Sequence, residues 1–297
     1  MSKSTPPVCS YEGSDYQQSF WDQGGRAYED AVEAIALKKL LPQSGKFLLE
    51  LGAGAGRNTP RYKNYQRIAL LDYSRTQMEQ ARDRLGISER YIYIAADIYH
   101  LPFINGVFDG ATMIRTLHHM ADPVLALSEV RRVMALEGVF ILEFANKRNI
   151  KSILRYLLKK QSWNPFTLEP VEFAELNFDF HPRSVRQYLR ENQFEIGKQL
   201  SVSTFRVGFL KKNVPIRLLT GLDSLLQWTG GIAQYSPSVF TRAKAVGNEQ
   251  PAAQEKGLFK CVSCGKPLPG VGHDLTCDSC GAIWEYRDGI YDFRSKK

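Results

Sequence analysis

The sequence predicts an α/β protein in which a mostly parallel sheet of seven strands carries helices on both faces, followed by a small cysteine-rich domain. Two observations predict the sheet. Apolar runs of strand length alternate with capped helices, and these runs are apolar throughout rather than at every second position. Such strands are typical of a parallel sheet that is covered on both faces. The third observation is that four of the five cysteines lie within 258–297.

The predicted elements follow one another in a regular order. The first helix ends near Pro42, because proline does not continue a helix. The predicted strands are 46–51, 67–72, 90–97, 108–115, 138–146, 194–203 and 237–246. The later predicted helices are 74–86, 122–134, 149–160 and 184–192. Ser74 and Asp122 are expected to cap the N-termini of two of these helices.

We expect the chain to divide into two domains. The first covers 1–246, with helical insertions at about 147–180 and 205–236. A polar linker covers 247–257 and the cysteine-rich domain covers 258–297. The linker, "GNEQPAAQEKG", is expected to let the second domain fold independently of the first. Residues 1–10 are expected to be disordered, and Cys9 to have no role.

The positive charge is concentrated in the middle of the chain. The net charge is +8, and residues 146–250 hold 16 Lys/Arg against 8 Asp/Glu. This asymmetry favours an anionic partner for the segment, although basic residues often only form a solvated surface. Because no apolar run reaches membrane-spanning length and the N-terminus has no secretory signal, we expect a cytoplasmic protein.

The stretch "FLLELGAGAGRNTP" places Gly52, Gly54 and Gly56 directly after the first predicted strand. Their G-x-G-x-G spacing matches neither the dinucleotide fingerprint nor the Walker phosphate loop. Asp72 and Asp97 end the next two strands, and the carboxyl ends of parallel strands meet at one edge of a sheet. One acid can accept hydrogen bonds from ribose hydroxyls and the other from an adenine amine. The expected ligand therefore combines a ribose, an adenine and a positive charge.

Five ordered motifs now carry a family resemblance. They are "LLELGAGAGR", "LLDYS", "AADIYHLPF", "FDGATMIRTLHHMADP" and "EVRRVMALEGVFILEF". In this order and spacing they resemble the motifs of class I S-adenosylmethionine-dependent methyltransferases, most closely the ubiquinone/menaquinone C-methyltransferase type. The resemblance is specific over about 45–145 and extends less specifically to 246. It implies a Rossmann-like fold, with S-adenosyl-L-methionine as the methyl donor.

The resemblance also implies which residues bind the donor. They are Tyr16, Arg26, Glu50, Gly52, Ala53, Gly54, Asp72, Tyr73, Asp97, Ile98, Arg115 and Leu117. The glycine loop would face the methionine part, Asp72 the ribose, and Asp97 the adenine. Trp21 and Tyr28 are further candidates in the segment that would cover the donor. His118 and His119 are weak candidates for a general base, and no catalytic residue is identified beyond them.

The C-terminal cysteines have the spacing C-x2-C-x12-C-x2-C. Cys261, Cys264, Cys277 and Cys280 therefore predict a tetrahedral Zn²⁺ site, which would be structural because all four ligands come from the protein. A disulfide is disfavoured without a secretory signal, and a redox C-x-x-C lacks its helix. The segment resembles the zinc ribbon of small activator subunits for RNA and protein methyltransferases.

The sequence thus predicts an enzyme that transfers a methyl group from S-adenosylmethionine. The quinone-type resemblance and two apolar, Lys-flanked segments at 149–160 and 209–229 favour a lipophilic small-molecule acceptor, taken from an anionic membrane surface. The zinc ribbon and the basic middle segment instead favour RNA, but no sheet motif for RNA readout is present. A non-catalytic donor-binding scaffold is the third alternative. The sequence names neither the acceptor nor the oligomeric state.

Overall fold

The computed structural model describes residues 6–15, 17–247 and 257–294. The α-helices are α1 (Ala27–Leu40), α2 (Arg75–Leu85), α3 (Pro123–Val133), α4 (Ile150–Leu157), α5 (Pro182–Glu191), α6 (Gly208–Asn213) and α7 (Ile216–Leu226). The strands of the first half are β1 (Gly45–Leu51), β2 (Tyr65–Asp72), β3 (Tyr91–Ala95), β4 (Phe108–Met113) and β5 (Met134–Ala145). The later strands are β6 (Val171–Ala174), β7 (Asn177–Asp179), β8 (Phe194–Val202), β9 (Ser238–Ala245), β10 (Leu275–Thr276), β11 (Ile283–Arg287) and β12 (Ile290–Asp292).

The main sheet has the strand order β10-β11-β12-β3-β2-β1-β4-β5-β9-β8. Strands β12 through β5 in this order are parallel to their neighbours, and β9 and β8 pair antiparallel. The seven predicted strands all lie in this sheet, which confirms the Rossmann-like α/β class. The predicted count of seven is short of the observed ten, because the C-terminal segment adds three strands at the edge of β3.

Both faces of the sheet are buried, as the continuous apolar runs predicted. Leu48 of β1 joins the cluster formed with α1 and α2, whereas its neighbour Leu49 joins the cluster formed with α3 and α5. The alternation follows from the two-residue period of side chains along a strand. The predicted caps also form, since the side chains of Ser74 and Asp122 accept hydrogen bonds from the N–H groups of Gln77 and Leu125.

The insertion after β5 is not helical throughout. Helix α4 ends at Leu157, and the β6–β7 hairpin follows, with Leu176 in its turn at a φ of 49°. The predicted helical insertion at about 147–180 is therefore helical only in α4. The end of the hairpin runs on beside β5, because Phe180 donates its N–H to the carbonyl of Ala145 at 2.9 Å.

The C-terminal segment does not stand apart from the sheet. Strand β12 pairs with β3, and Phe293 donates its N–H to the carbonyl of Ala95 at 2.8 Å. The Phe259 and Phe293 side chains are buried in the same cluster as α3 and α5. The expectation that this segment folds independently is wrong, because its apolar side chains complete the core beyond β3. Most of the predicted linker lies outside the described residues.

The N-terminal residues that the structure describes pack onto the domain. Val8 is partly buried against the core. The expected disorder of 1–10 therefore does not hold for 6–10, while 1–5 lie outside the described residues. Within the described part of the chain, no helix combines the length and apolarity needed to cross a bilayer.

Candidate functional site

The first pocket opens at the carboxyl ends of β1, β2, β3 and β4. It holds about 880 Å³ of space, including the part that is open to solvent. Strand order reverses between β1 and β4, and open α/β sheets bind ligands in the crevice at such a point. The residues that line it are Val8, Cys9, Tyr11, Trp21, Gly52, Ala53, Gly54, Arg57, Asn58, Asp72, Tyr73, Gln77, Asp97, Ile98, Ile114, Arg115, Thr116, His119 and Met120.

The glycine loop forms one wall of the first pocket. Gly52, Gly54 and Gly56 have φ values of 65°, 53° and 71°, a region that other residues rarely adopt. At Gly52 a Cβ would lie 2.1 Å from the Oγ1 of Thr116, so a side chain there is excluded by contact as well. Sequence alone predicted a close approach of backbone, and the loop geometry agrees with it.

The two acids that end β2 and β3 both face the first pocket. Asp72 accepts hydrogen bonds from the N–H groups of Gly54 and Ser74, each at 2.9 Å. Burial raises the pKa of Asp72, and these N–H groups oppose the shift. Asp97 accepts from the N–H of Tyr99 at 2.9 Å, and Ile98 lies beside it in the wall. The structure thus brings together acids that are 25 positions apart in the chain.

Two predicted residues lie behind the wall rather than in it. The carboxylate of Glu50 accepts a hydrogen bond from the hydroxyl of Thr59 at 2.6 Å, beneath the glycine loop. Burial raises the pKa of Glu50 to about 7, although the Thr59 hydroxyl and Arg57 favour its charged form. Leu117 is fully buried in the core. Neither side chain lines the first pocket, so any influence they have on a ligand acts through the loops they support.

A charged network borders the mouth of the first pocket. The fully buried Glu33 pairs with both Arg57 and Arg115, and Arg57 lies over the ring of Trp21 at 3.5 Å. Arg26 instead pairs with Glu29 and lies outside this pocket. Tyr28 is buried and donates its hydroxyl to Asp223 at 2.8 Å. Tyr16 lies outside the described residues.

Only one of the two candidate histidines lines the first pocket. Both ring nitrogens of His119 have partners, the Tyr11 hydroxyl at 3.2 Å and the Leu176 carbonyl at 3.0 Å. Burial lowers the pKa of His119, and burial with the nearby His119 and Arg115 holds the pKa of His118 well below its usual value. Both rings are therefore neutral near pH 7, and His119 is held in a structural arrangement.

The N-terminal cover, residues 6–15, was not predicted at the site. Val8, Cys9 and Tyr11 line the first pocket, and Glu12 accepts hydrogen bonds from Arg75 and Thr76 at the start of α2. Nothing in the composition of this segment distinguishes it from a disordered terminus. The expectation that Cys9 has no role is not supported, because Cys9 lies in the wall of the first pocket.

The four C-terminal cysteines converge on one point. Their Sγ atoms all lie within 4.8 Å of one another, with separations of 3.7 Å for Cys261–Cys280 and 3.5 Å for Cys264–Cys277. A tetrahedral zinc with bonds of about 2.3 Å places its sulfurs about 3.8 Å apart. The donor set and its spacing therefore fit a zinc ion bound by four thiolates.

Comparison with known proteins finds similarity to methyltransferases over part of the chain. A family described as "Methyltransferase domain" matches residues 49–142. Demethylmenaquinone methyltransferase of Chlamydia trachomatis serovar D is 36% identical over 129 residues, which cover 42% of this chain and 55% of that protein. The 27-O-demethylrifamycin SV methyltransferase of Amycolatopsis mediterranei is 27% identical over 134 residues, which cover 42% and 49%.

A solved structure shows the same fold. One chain of a complex between the Haloferax volcanii Trm112 methyltransferase activator and a proposed methyltransferase aligns with 76% of this chain and 94% of its own length, at 17% identity and a TM-score of 0.54. These matches confirm the resemblance drawn from the motifs: the chain contains a class I S-adenosylmethionine-dependent methyltransferase domain. The chain spans about half the length of the curated relatives it matches.

Proposed function

We propose that the chain transfers the methyl group of S-adenosylmethionine to a lipophilic small-molecule acceptor. The observation that carries the proposal is the first pocket, in which the glycine loop, Asp72 and Asp97 share one cavity at the switch point of the sheet. Its volume falls within the range of sites that enclose a molecule of this size. The N-terminal cover would shield the sulfonium from water, which methyl transfer requires.

The proposed donor contacts follow the lining of the first pocket. The backbone of Gly52 and Gly54 approaches the methionine part, Asp72 accepts from the ribose hydroxyls and Asp97 from the adenine amine. Arg115 and Thr116 lie at the end of β4, where the transferable methyl would face the acceptor. Catalysis then depends mainly on placing the nucleophile in line with the methyl group.

We also propose that the cysteine cluster binds one structural zinc ion. All four ligands would come from the protein, which leaves no position for a reactive water. The buried apolar side chains of the segment around the cluster, among them Phe259, Leu275 and Phe293, belong to the core that it shares with the main sheet. The metal would therefore stabilise the part of the chain that closes this edge of the sheet.

The lipophilic acceptor is supported by apolar side chains left exposed on the two insertions. On α4, Leu154 and Leu157 are 53% and 66% exposed, and on α7, Leu218 and Leu225 are 55% and 70% exposed. Trp228, just after α7, is 63% exposed. Basic residues accompany both faces, and the segment 146–250 has an excess of eight positive charges. This combination fits transient docking on an anionic bilayer, where such acceptors reside.

The test is methyl transfer from tritiated S-adenosylmethionine to two fractions offered side by side, a total lipid extract in anionic vesicles and total RNA. We expect label in the lipid extract and none in RNA. Label in RNA alone would overturn the lipophilic acceptor in favour of the RNA alternative. A polar metabolite extract serves as a third fraction. If the chain binds the donor but labels none of the three fractions, the scaffold alternative is supported.

A further inference from the structure

A second pocket lies beyond the carboxyl end of β5. It holds about 1430 Å³ of space, including the part that is open to solvent, between α4, the segment after it, the β6–β7 hairpin and Arg206. It is lined by residues at the start of the insertion that follows β5, and it is distinct from the first pocket. No role has yet been given to it.

The second pocket is strongly cationic. Lys151, Arg155 and Lys160 line it, and none of them forms an ion pair with any described residue. Arg206 adds a fourth positive charge, which is shared with Glu29 at 3.7 Å. Asp179 is the only acid in the lining. Cations that converge on a cavity without internal partners attract an anionic group.

Aromatic side chains accompany these charges. Trp163 and Phe173 line the second pocket, and Phe173 is 60% exposed although it is a large apolar residue. Such rings favour stacking with the flat face of a ligand ring. A cavity with an aromatic wall and a cluster of unpaired cations fits a ring that carries a carboxylate or a phosphate.

The β6–β7 hairpin connects the two pockets. The carbonyl of Leu176 in its turn is 3.0 Å from His119, which lines the first pocket, and Asp179 at its end lines the second. Burial lowers the pKa of Arg206 in the second pocket, and the positive charge of Arg115 in the first pocket adds to the shift. A ligand in the second pocket would therefore lie across this hairpin from the first pocket.

Asp179 is placed to interact with such a ligand. Among the described residues nothing donates a hydrogen bond to its carboxylate, although the side chain is mostly buried. Burial raises the pKa of Asp179 to about 6. The positive charges of Arg206 and Lys147 oppose this increase, and the negative charge of Glu143 adds to it. These three are the charged groups that face it from the neighbouring elements. A mostly buried carboxylate without a donor is one that a ligand hydroxyl or amine can satisfy.

We propose that the second pocket is the acceptor site, that it takes the reacting ring of the lipophilic acceptor, which bears a carboxylate or phosphate, and that Asp179 receives the proton of the reacting hydroxyl or amine. This rests on the proposed function. The methyl group leaves the sulfonium with its bonding pair remaining on sulfur, and a lone pair of the acceptor oxygen or nitrogen forms the new bond to carbon. The acceptor proton moves to the Asp179 carboxylate and then to solvent. The neutral thioether and the methylated acceptor are the products.

The binding test uses 4-hydroxy-3-nitrobenzoate and its amide, titrated into the full chain with S-adenosylhomocysteine present, at a pH below the phenol pKa of both probes so that the amide is neutral and the benzoate carries one negative charge. We expect the benzoate to bind at least about tenfold more tightly than the amide, because only the benzoate meets the unpaired cations. Lys151→Gln with Arg155→Gln should remove this preference. The matched control, Lys212→Gln with Arg217→Gln, changes two exposed cations outside the second pocket and should retain it. Equal binding of benzoate and amide, or no binding of the benzoate, would overturn the proposal.

The same benzoate reports the protonation state of its own phenol, because the phenolate absorbs at longer wavelength than the phenol. A spectral pH titration of the bound benzoate should give a phenol pKa about one unit lower in Asp179→Asn than in the wild-type chain, since an ionised neighbour disfavours the phenolate. Identical titrations would remove Asp179 from the site. Binding of S-adenosylhomocysteine distinguishes failure of the proposed function from failure of the proposed acceptor site. If the wild-type chain does not bind it, the proposed function fails, whereas retained binding with no response of the probe defeats the acceptor site alone.

Discussion

At the scale of single residues, the conformation of the glycine loop is what the site depends on most directly. Gly52 combines a positive φ of 65° with contact against Thr116, whereas Gly25 has a similar φ of 63° and open space where a Cβ would lie. Gly52→Ala and Gly25→Ala are therefore both penalised for a positive φ and differ in the steric contact.

We expect Gly25→Ala to lower the free energy of unfolding by about 1–2 kcal/mol. Gly52→Ala should lower it by a further 1–3 kcal/mol or so, because the added methyl group overlaps Thr116. Denaturant unfolding followed by circular dichroism measures both. Equal losses in the two variants would mean that the loop relaxes away from Thr116 without cost.

Replacing Asp179 should stabilise the folded chain, whereas the glycine substitutions destabilise it. Its pKa is about 6 in the folded chain against 3.8 as the ordinary value, so the folded state binds more protons than the unfolded state between these limits. Stability therefore falls as the pH rises from about 4 to 6. At pH 8, Asp179→Asn should raise the free energy of unfolding by about 1–3 kcal/mol, and near pH 3 the gain should vanish. A variant that is less stable than wild type at pH 8 would show that the carboxylate is satisfied in the folded chain.

The sequence predicted residue roles unevenly. The acids at the ends of β2 and β3 were predictable, because strand order alone brings them to one edge. The position of Glu50 was not, since strand alternation and the Thr59 hydroxyl turn its carboxylate beneath the loop. The N-terminal cover was missed because its contacts, such as Glu12 with α2, join residues more than sixty positions apart.

At the scale of secondary-structure elements, α4 and α7 carry apolar faces that the domain does not cover. Leu157→Ser with Leu225→Ser should weaken cosedimentation with anionic vesicles at least about tenfold, because each leucine would otherwise enter the interface. Ile87→Ser is the matched control, since Ile87 is 75% exposed but lies on the loop before β3. Loss of vesicle binding in the control as well, or retention in the double variant, would contradict docking through these helices.

Element prediction succeeded where periodicity is local and failed where pairing is distant. The core strands and the capped helices follow from apolar runs and from Ser74 and Asp122. The β6–β7 hairpin was not predicted, because apolar and polar residues alternate only weakly in its short strands, which are only partly buried. Strand β12 was also not predicted, because its three residues form a strand only by pairing with β3, which is distant in the sequence.

At the scale of the whole molecule, the C-terminal segment completes the sheet and contacts the N-terminal cover. Arg294 pairs with Glu12 at 2.6 Å, and Glu12 belongs to the N-terminal cover. The C-terminal segment therefore both pairs with the edge of β3 and contacts the N-terminal cover. The parallel edge of β3 would otherwise expose unpaired backbone groups.

We accordingly expect the metal to stabilise the whole chain rather than its C-terminal part. The wild-type chain should retain about one zinc after dialysis, and Cys277→Ser should lose it. Because β12 pairs with β3, this variant should lower the midpoint of the single calorimetric unfolding transition, not add a second one. Cys9→Ser, which removes the cysteine outside the cluster, serves as the control for metal content. An unchanged midpoint in metal-free Cys277→Ser would contradict the coupling.

We expect the first pocket to bind S-adenosylmethionine through the acids at its edge. Titration calorimetry with S-adenosylhomocysteine tests it most directly, on the wild-type chain, on Asp72→Ala, and on Asp83→Ala, whose carboxylate is 69% exposed and pairs with Arg82. We predict binding by the wild-type chain and by Asp83→Ala, and an affinity about ten- to hundredfold weaker in Asp72→Ala, because its two charge-assisted hydrogen bonds to the ribose are lost. Failure of the wild-type chain to bind, or equal binding by all three, would contradict this account.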